Sequence, residues 1–351
     1  MKNATRNAFD QLLDQIAKLN NVSTQAVTKN FAVAPSVQQK LENRIQETSE
    51  FLTRINIIGV DEQEGEKLGL GLMGTVAGRT KVTPTNPRRP RNLTDLNSQR
   101  YRCEQTEFDT AIPYAQIDMW AKFPDFQTRI RDLIVKQQGL DRMMIGFNGV
   151  AAAPQTDRDK FPLLQDVNKG WLQQYRDNAK ARVMASGHKK DGKVLVGHGG
   201  DYANLDALVM DAVASLIDPT LQGHPDLVVI LGRDLLHDKY FPIVNQDQKP
   251  TEQLAADIVI SQKRIGNLPA VTVPFFPAST MLITTLANLS IYFQNGSRRR
   301  HLREEPDFNQ VANYESSNDA YVVERYEAGC VIENIEQLPP PPPQAKDEAA
   351  K

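Results

Sequence analysis

Near the start of the chain, apolar residues recur at spacings of three and four: Phe9, Leu12, Leu13, Ile16 and Leu19. That periodicity predicts a helix with one apolar face. Thr5 is placed to cap it, because its hydroxyl can accept a free backbone N–H. A polar stretch, residues 20–30, follows. Ala34-Pro35 closes it, since the residue before proline is biased away from helix. Residues 1–31 therefore read as a detachable segment, or else as an ordinary first helix of the body.

Val37, Leu41, Ile45 and Leu52 predict a second helix over 37–52, and the β-branched run 54–60 predicts a strand. In residues 61–113, Leu68, Leu70 and Leu72 alternate with Gly69, Gly71 and Met73. Thr106, Phe108, Thr110 and Ile112 alternate later, and residues 78–99 between them carry Pro84, Pro87 and Pro90 with little apolar content. A long stretch of this kind inside a compact domain is uncommon and usually functional. It reads as a long hairpin with a projecting tip. Arg79, Lys81, Arg88, Arg89 and Arg91 make that tip basic, with no acid before Asp95.

Residues 124–148 carry the strongest helical pattern, in Phe126, Ile130, Leu133, Ile134, Met144 and Phe147. Pro124 suits a first turn, where its missing N–H costs nothing. Asp125 complements the positive helix end. A helix of this length suits a spine along which other elements pack, with Gly139 as a weak point of about 1 kcal/mol. Residues 151–201 are polar with glycine-rich turns. Residues 201–217 predict an amphipathic helix, with Asp201 as its cap and Pro219 beyond its end. Strands are expected at 226–231, 257–261, 270–273, 281–284, 289–293 and within 319–335, with a short helix around Leu235. Pro339 to Pro343 begin an extended tail with a disordered end.

The chain has 351 residues and a net charge of -2, from 41 Lys+Arg and 43 Asp+Glu. The near balance removes a general affinity for nucleic acid and leaves only local patches. Cys103 and Cys330 are far apart and have no zinc spacing, so both are expected as free thiols. No apolar leader and no run of about 18 apolar residues is visible, so no membrane partner and a cytoplasmic site of synthesis are expected.

The chemical signals are weak. Gly69-Leu70-Gly71-Leu72-Met73-Gly74 matches the dinucleotide pattern, but residues 75–91 lack the helix that would receive a pyrophosphate. Gly197-His198-Gly199-Gly200-Asp201 could cradle an anion, yet lacks the Lys-Ser/Thr of a phosphate loop. The five histidines make no metal spacing, and no nucleophile motif occurs, so no catalytic residue, metal or cofactor is assigned. Arg298-Arg299-Arg300-His301-Leu302-Arg303, followed by Glu304 and Glu305, reads as a solvated or intersubunit salt-bridge loop. An α+β chain with two special projecting segments and no catalytic constellation favours self-assembly over catalysis.

Several stretches carry a resemblance. They include Gly146-Phe147-Asn148-Gly149-Val150, Gly170-Trp171-Leu172-Gln173, Leu205-Asp206-Ala207-Leu208-Val209-Met210-Asp211 and Asp226-Leu227-Val228-Val229-Ile230. Others are Ile260-Ser261-Gln262-Lys263-Arg264-Ile265-Gly266-Asn267-Leu268-Pro269, Asn313-Tyr314-Glu315-Ser316 and Ala328-Gly329-Cys330. Over residues 5–336 the chain resembles the major capsid proteins of peduovirus-type (P2-like) tailed bacteriophages. The resemblance implies an α+β HK97-like fold, in the following order. Residues 1–31 would be a cleavable scaffold-interacting segment, 32–60 an N-terminal arm and 61–113 the E-loop hairpin. Residues 114–154 and 281–336 would form the peripheral domain with its spine helix, 155–280 the axial domain and 337–351 the tail. It further implies a structural protein and not an enzyme. Homo-pentamers and homo-hexamers would close into an icosahedral shell around double-stranded DNA, contacted without sequence reading. An internal scaffold-protease and a portal protein would be partners, and cleavage would fall at Phe31 and Ala32. The basic tip, Arg79 to Arg91, would contact a neighbouring subunit. An encapsulin-like compartment is the alternative within the same fold.

Overall fold

The computed structural model describes residues 2–68, 71–72, 77, 79–81, 83, 94–95, 98–123, 125–244 and 263–339. The expected strand at 257–261, Pro124 and residues 340–351 of the tail lie outside them. The helices are α1 (Asn3–Asn20), α2 (Thr24–Val27), α3 (Pro35–Glu47), α4 (Glu50–Arg54) and α5 (Tyr114–Trp120). They continue with α6 (Phe126–Asn148), α7 (Trp171–Asn178), α8 (Leu205–Leu216) and α9 (Arg233–Val244).

Among the described residues, one seven-stranded sheet is organised by the long strand Gln310–Val323. Arg299–Glu305 pairs with its first half and Leu289–Gln294 with its second. Glu104–Glu107 and Thr110–Pro113 also pair with it, so the alternating 106–112 segment belongs to this sheet and not to the projecting hairpin. The hairpin proper is Glu64–Leu68 against Ser98–Arg102.

A six-stranded sheet forms the wall between two cores. Its strand Leu227–Leu231 is buried on both faces, because successive side chains point to opposite sides. Val228 and Ile230 enter a core with Trp171, Phe147 and Tyr321, while Leu227, Val229 and Leu231 pack against α8. Strands Met281–Thr285 and Cys330–Ile332 belong to this sheet too, although the expected division placed them with the peripheral domain.

Several local expectations are corrected. Thr5 is buried inside α1 and caps nothing; Asp118 Oδ1 on α5 instead accepts the Lys2 amide at 3.0 Å. The 37–52 helix is two helices. Ser49 starts α4 by accepting the Phe51 amide at 3.2 Å, and the chain turns at Thr48. Gly139 permits that turn to touch α6, since a Cβ there would lie 2.3 Å from Thr48 Oγ1. Leu133, expected on the apolar stripe of α6, is exposed.

Asn204, not Asp201, caps α8, accepting the Ala207 amide at 2.9 Å. The Asp201 carboxylate instead ties down the preceding 187–195 loop, accepting the His188, Lys189 and Leu195 amides at 2.8–2.9 Å. Within the possible anion cradle, the Gly197 and Gly200 amides donate to the carbonyls of Tyr202 and Gly197. The polar stretch 151–201 also contains α7, whose Trp171, Leu172 and Tyr175 are fully buried.

Candidate functional site

The N-terminal segment sits on its own body. Phe9, Leu13, Ile16 and Ala17 of α1 form a core with Val27, Phe31, Val33, Ile117, Ile130, Ile134, Leu302 and Val311. Residues 1–31 are therefore docked in this structure. Polar contacts hold both ends. At one end Asp118 accepts the Lys2 amide, and Arg6 pairs with Glu304 at 2.9 Å. At the other, Asn20 Oδ1 accepts the Ala34 amide at 3.1 Å, and His301 Nε2 lies 3.0 Å from the Thr28 carbonyl. Hydrogen bonds from the Thr5 hydroxyl and the Lys2 amide hold the Asp118 carboxyl below its usual range. Phe31 and Ala32 form a two-residue edge strand opposite Arg300 and Arg299, and Phe31 is buried. Both expected cleavage-site residues thus lie inside structure, not in a loose linker.

The second special segment is the hairpin. Its base is fixed by Lys67, which sequence reasoning passed over. The Lys67 amine donates to the Val323 carbonyl at 2.5 Å and lies 3.8 Å from the Glu324 carboxylate. Burial lowers its pKa, and Glu324 opposes that shift. Ser290 and Tyr292 hydroxyls also donate to Glu324, at 2.5 and 2.9 Å. Tyr101 stacks edge-on against Tyr292, with centroids 5.1 Å apart. A polar side chain and an aromatic pair thus set where the hairpin leaves the sheet. Arg79 and Lys81 are exposed along it. Arg88, Arg89 and Arg91 lie outside the described residues. Gly71–Leu72 pairs as a strand with Thr94–Asp95, and the described positions within 75–91 are not helical. The rest of the glycine pattern lies outside the described residues.

The body also holds a buried ionic cluster. Arg298 is fully buried, so the basic run is not a solvated loop; residues 299–305 form a strand. Arg298 donates to Glu42 at 2.8 Å, Glu315 at 2.8 Å and the Gln138 side-chain oxygen Oε1 at 2.7 Å. Arg142, also fully buried, donates to Glu42 and to Asp319 at 3.1 Å. Burial alone would raise Glu315, but the charges of Arg298 and Arg300 outweigh it and hold the carboxyl at about 2. Burial pushes Asp319 up, against the pull of Arg142. Glu305, expected to be solvated, is buried and accepts from Gln310 and Tyr314 at 2.8 Å.

The two thiols are buried and free, and burial pushes each up to about 12, away from the reactive thiolate. Among the described residues no helix is long and apolar enough to cross a membrane. The organised features of the chain are packing surfaces and an internal ionic joint.

Residues 8–335 match the phage major capsid protein model of the P2 family. The chain belongs to that family. It is 53% identical to the capsid protein of Escherichia phage P2 over 340 residues, covering 95% of each chain. It is 43% identical to the major capsid protein of Serratia phage KSP20, covering 95% of this chain and 97% of that one. Among solved structures, a chain of the satellite phage P4 procapsid that includes the size determination (Sid) protein superposes with a TM-score of 0.79. That chain is 50% identical, with 96% of this chain and 99% of that one covered. The capsid of a native GTA particle, 12% identical, gives a TM-score of 0.52 over 82% of this chain and 91% of that one, and shares the fold. The fold is α+β and HK97-like, and the chain is a structural capsid subunit.

The stretches that carried the resemblance have packing reasons in this capsid subunit. A Cβ on Gly146 would lie 2.3 Å from Trp171, whose ring is wedged between α6 and the sheet and donates to the Ser290 carbonyl at 3.0 Å. Gly149 and Gly170 bring two backbones together, the Gly170 amide donating to the Gly149 carbonyl at 3.0 Å. Gly266 and Asn267, both at positive φ, make a two-residue hairpin turn between paired strands.

Proposed function

We propose that this capsid subunit assembles with copies of itself as pentamers and hexamers into a closed icosahedral shell enclosing double-stranded DNA. A protease associated with an internal scaffold removes residues 1–31 near Phe31–Ala32, and a portal protein occupies one vertex. The family match over residues 8–335 carries the reading. The segments that such assembly would use are distinct in the fold: a helix tied through a short edge strand, and a hairpin fixed at its base by Lys67. The Arg79 to Arg91 tip docks on an acidic patch of a neighbour, and inward basic groups contact phosphate without reading sequence. The encapsulin-like reading is not favoured, because the family and both relatives are phage capsid proteins.

Electron microscopy of particles from cells co-expressing the chain with its scaffold-protease gene tests the proposal. Closed icosahedral shells are expected; monomers alone under every assembly condition would refute self-assembly. Mass spectrometry of mature particles tests the cleavage, which an intact Met1 end would refute.

A further inference from the structure

We propose that residues 1–31 are a self-docked cover that gates cleavage of its own junction. While α1 is seated on the body, the Phe31–Ala32 bond is out of a protease's reach. Lifting the Phe9, Leu13 and Ile16 face of α1 off the body opens the bond. This gives a regulation to the cleavage proposed above, and rests on that reading.

Proteases take substrate as an extended strand, so backbone already paired in a sheet must first leave it. Phe31 and Ala32 are paired with Arg300 and Arg299, and the Val33 amide donates to the Arg298 carbonyl at 3.0 Å. The Phe31 side chain lies in the same core as Phe9 and Ile16. On one side of the bond, Thr28 is held by His301; on the other, Ala34 is held by Asn20 at the end of α1. Pulling the junction out of the sheet therefore disturbs the seat of α1, and lifting α1 frees the junction.

The seat is also built to open. A cavity of about 690 Å³ lies beside it, lined by Leu12, Ile16, Val37, Leu41, Ile130 and Leu302. Side chains facing a cavity lose contacts they would have in a filled core. Arg6 and Glu304, which pin the outer end, are half-exposed, and exposed pairs hold weakly. Opening the cover thus costs less than unfolding the body.

Chymotrypsin, which cuts after phenylalanine, reads the gate without the phage protease. Full-length unassembled chain is digested briefly, and initial rates are taken by mass spectrometry for cleavage after Phe31 and after Phe293. Phe293 is buried in a core strand, so it reports global unfolding. Leu13→Asp should speed cleavage after Phe31 at least about tenfold, because cleavage follows the open population, while the Phe293 rate stays unchanged. Arg6→Glu should speed it about two- to fivefold, and adding Glu304→Arg should restore the slow rate. A Phe31 rate that is the same in all variants, or that rises only together with the Phe293 rate, overturns the gate. An intact Met1 end in mature particles would instead refute the cleavage reading and leave these rates as they are.

Discussion

Replacing Arg142 with methionine should destabilise the subunit by about 3–5 kcal/mol, the usual cost of leaving a buried charge without its partner. The guanidinium is fully buried and bridges Glu42 on α3 to Asp319 on the strand Gln310–Val323. At 3.1 Å and an effective dielectric near 20, one such contact is worth about 5 kcal/mol before desolvation. Without Arg142, the carboxylates of Glu42, Glu315 and Asp319 face only Arg298 and half-buried Arg300. Asp319 keeps a single donor, the Ser317 hydroxyl at 3.1 Å. Adding Asp319→Asn removes one unpaired charge, so the double variant should be more stable than the sum of the two single losses by about 1–3 kcal/mol. Asp319 is already raised by burial and rises further without Arg142. A raised carboxyl penalises the ionised folded state, so the Arg142→Met deficit should grow as pH rises above the ordinary carboxylate range. Urea unfolding of unassembled chain, followed by fluorescence of its two tryptophans, of which Trp171 is fully buried, measures all of this. A loss below about 1 kcal/mol, or strict additivity with Asp319→Asn, would refute the view that charge pairing carries this joint.

Glu315 gives the cluster a distinct acid response. Its carboxyl is held at about 2 against an ordinary 4.5, so its contribution is full above 4.5 and is lost as pH falls through about 2. That window is worth about 3 kcal/mol, and Glu315→Gln should remove this part of the acid dependence in melts between pH 5 and 2. Gly146→Ala places a methyl group against the Trp171 ring, which is fully buried and cannot withdraw. It should cost about 1–3 kcal/mol despite the better helix propensity of alanine, with a shifted Trp171 emission as the second readout. Asn204→Ala removes the cap of α8 and should cost about 1 kcal/mol in urea unfolding. Replacing Arg88, Arg89 and Arg91 together with Glu should lower particle yield while leaving the subunit's melt unchanged; normal yield would remove the tip from the assembly mechanism.

Periodicity located α1, α6 and α8, because an element whose apolar face meets one large core writes that face into its spacing, and a continuous apolar run located the strand Leu227–Leu231, which is buried on both faces. The quoted glycines carried only a resemblance in the sequence; that Gly146, Gly149 and Gly170 serve the close α6–α7 approach around Trp171 is visible only in the packing. Composition and charge balance also disposed of a generally basic nucleic-acid binder. What the sequence could not reveal were the pairings between distant residues. Glu42, Gln138, Arg142, Arg298, Glu315 and Asp319 each look like surface residues in their own window, and only the meeting of α3, α6 and two strands buries them together. Asp201 had the residue type of a cap, but the backbone amides of the 187–195 loop claimed it and left α8 to Asn204. Residues 1–31 were open between a detachable segment and an ordinary first helix of the body. The body's own apolar trough decided it by supplying Ile117, Ile130, Ile134, Leu302 and Val311 to bury the face of α1. Local spacing determines which elements form and which face is apolar, whereas the partner of each face, and of each buried charge, is set only when the chain closes on itself.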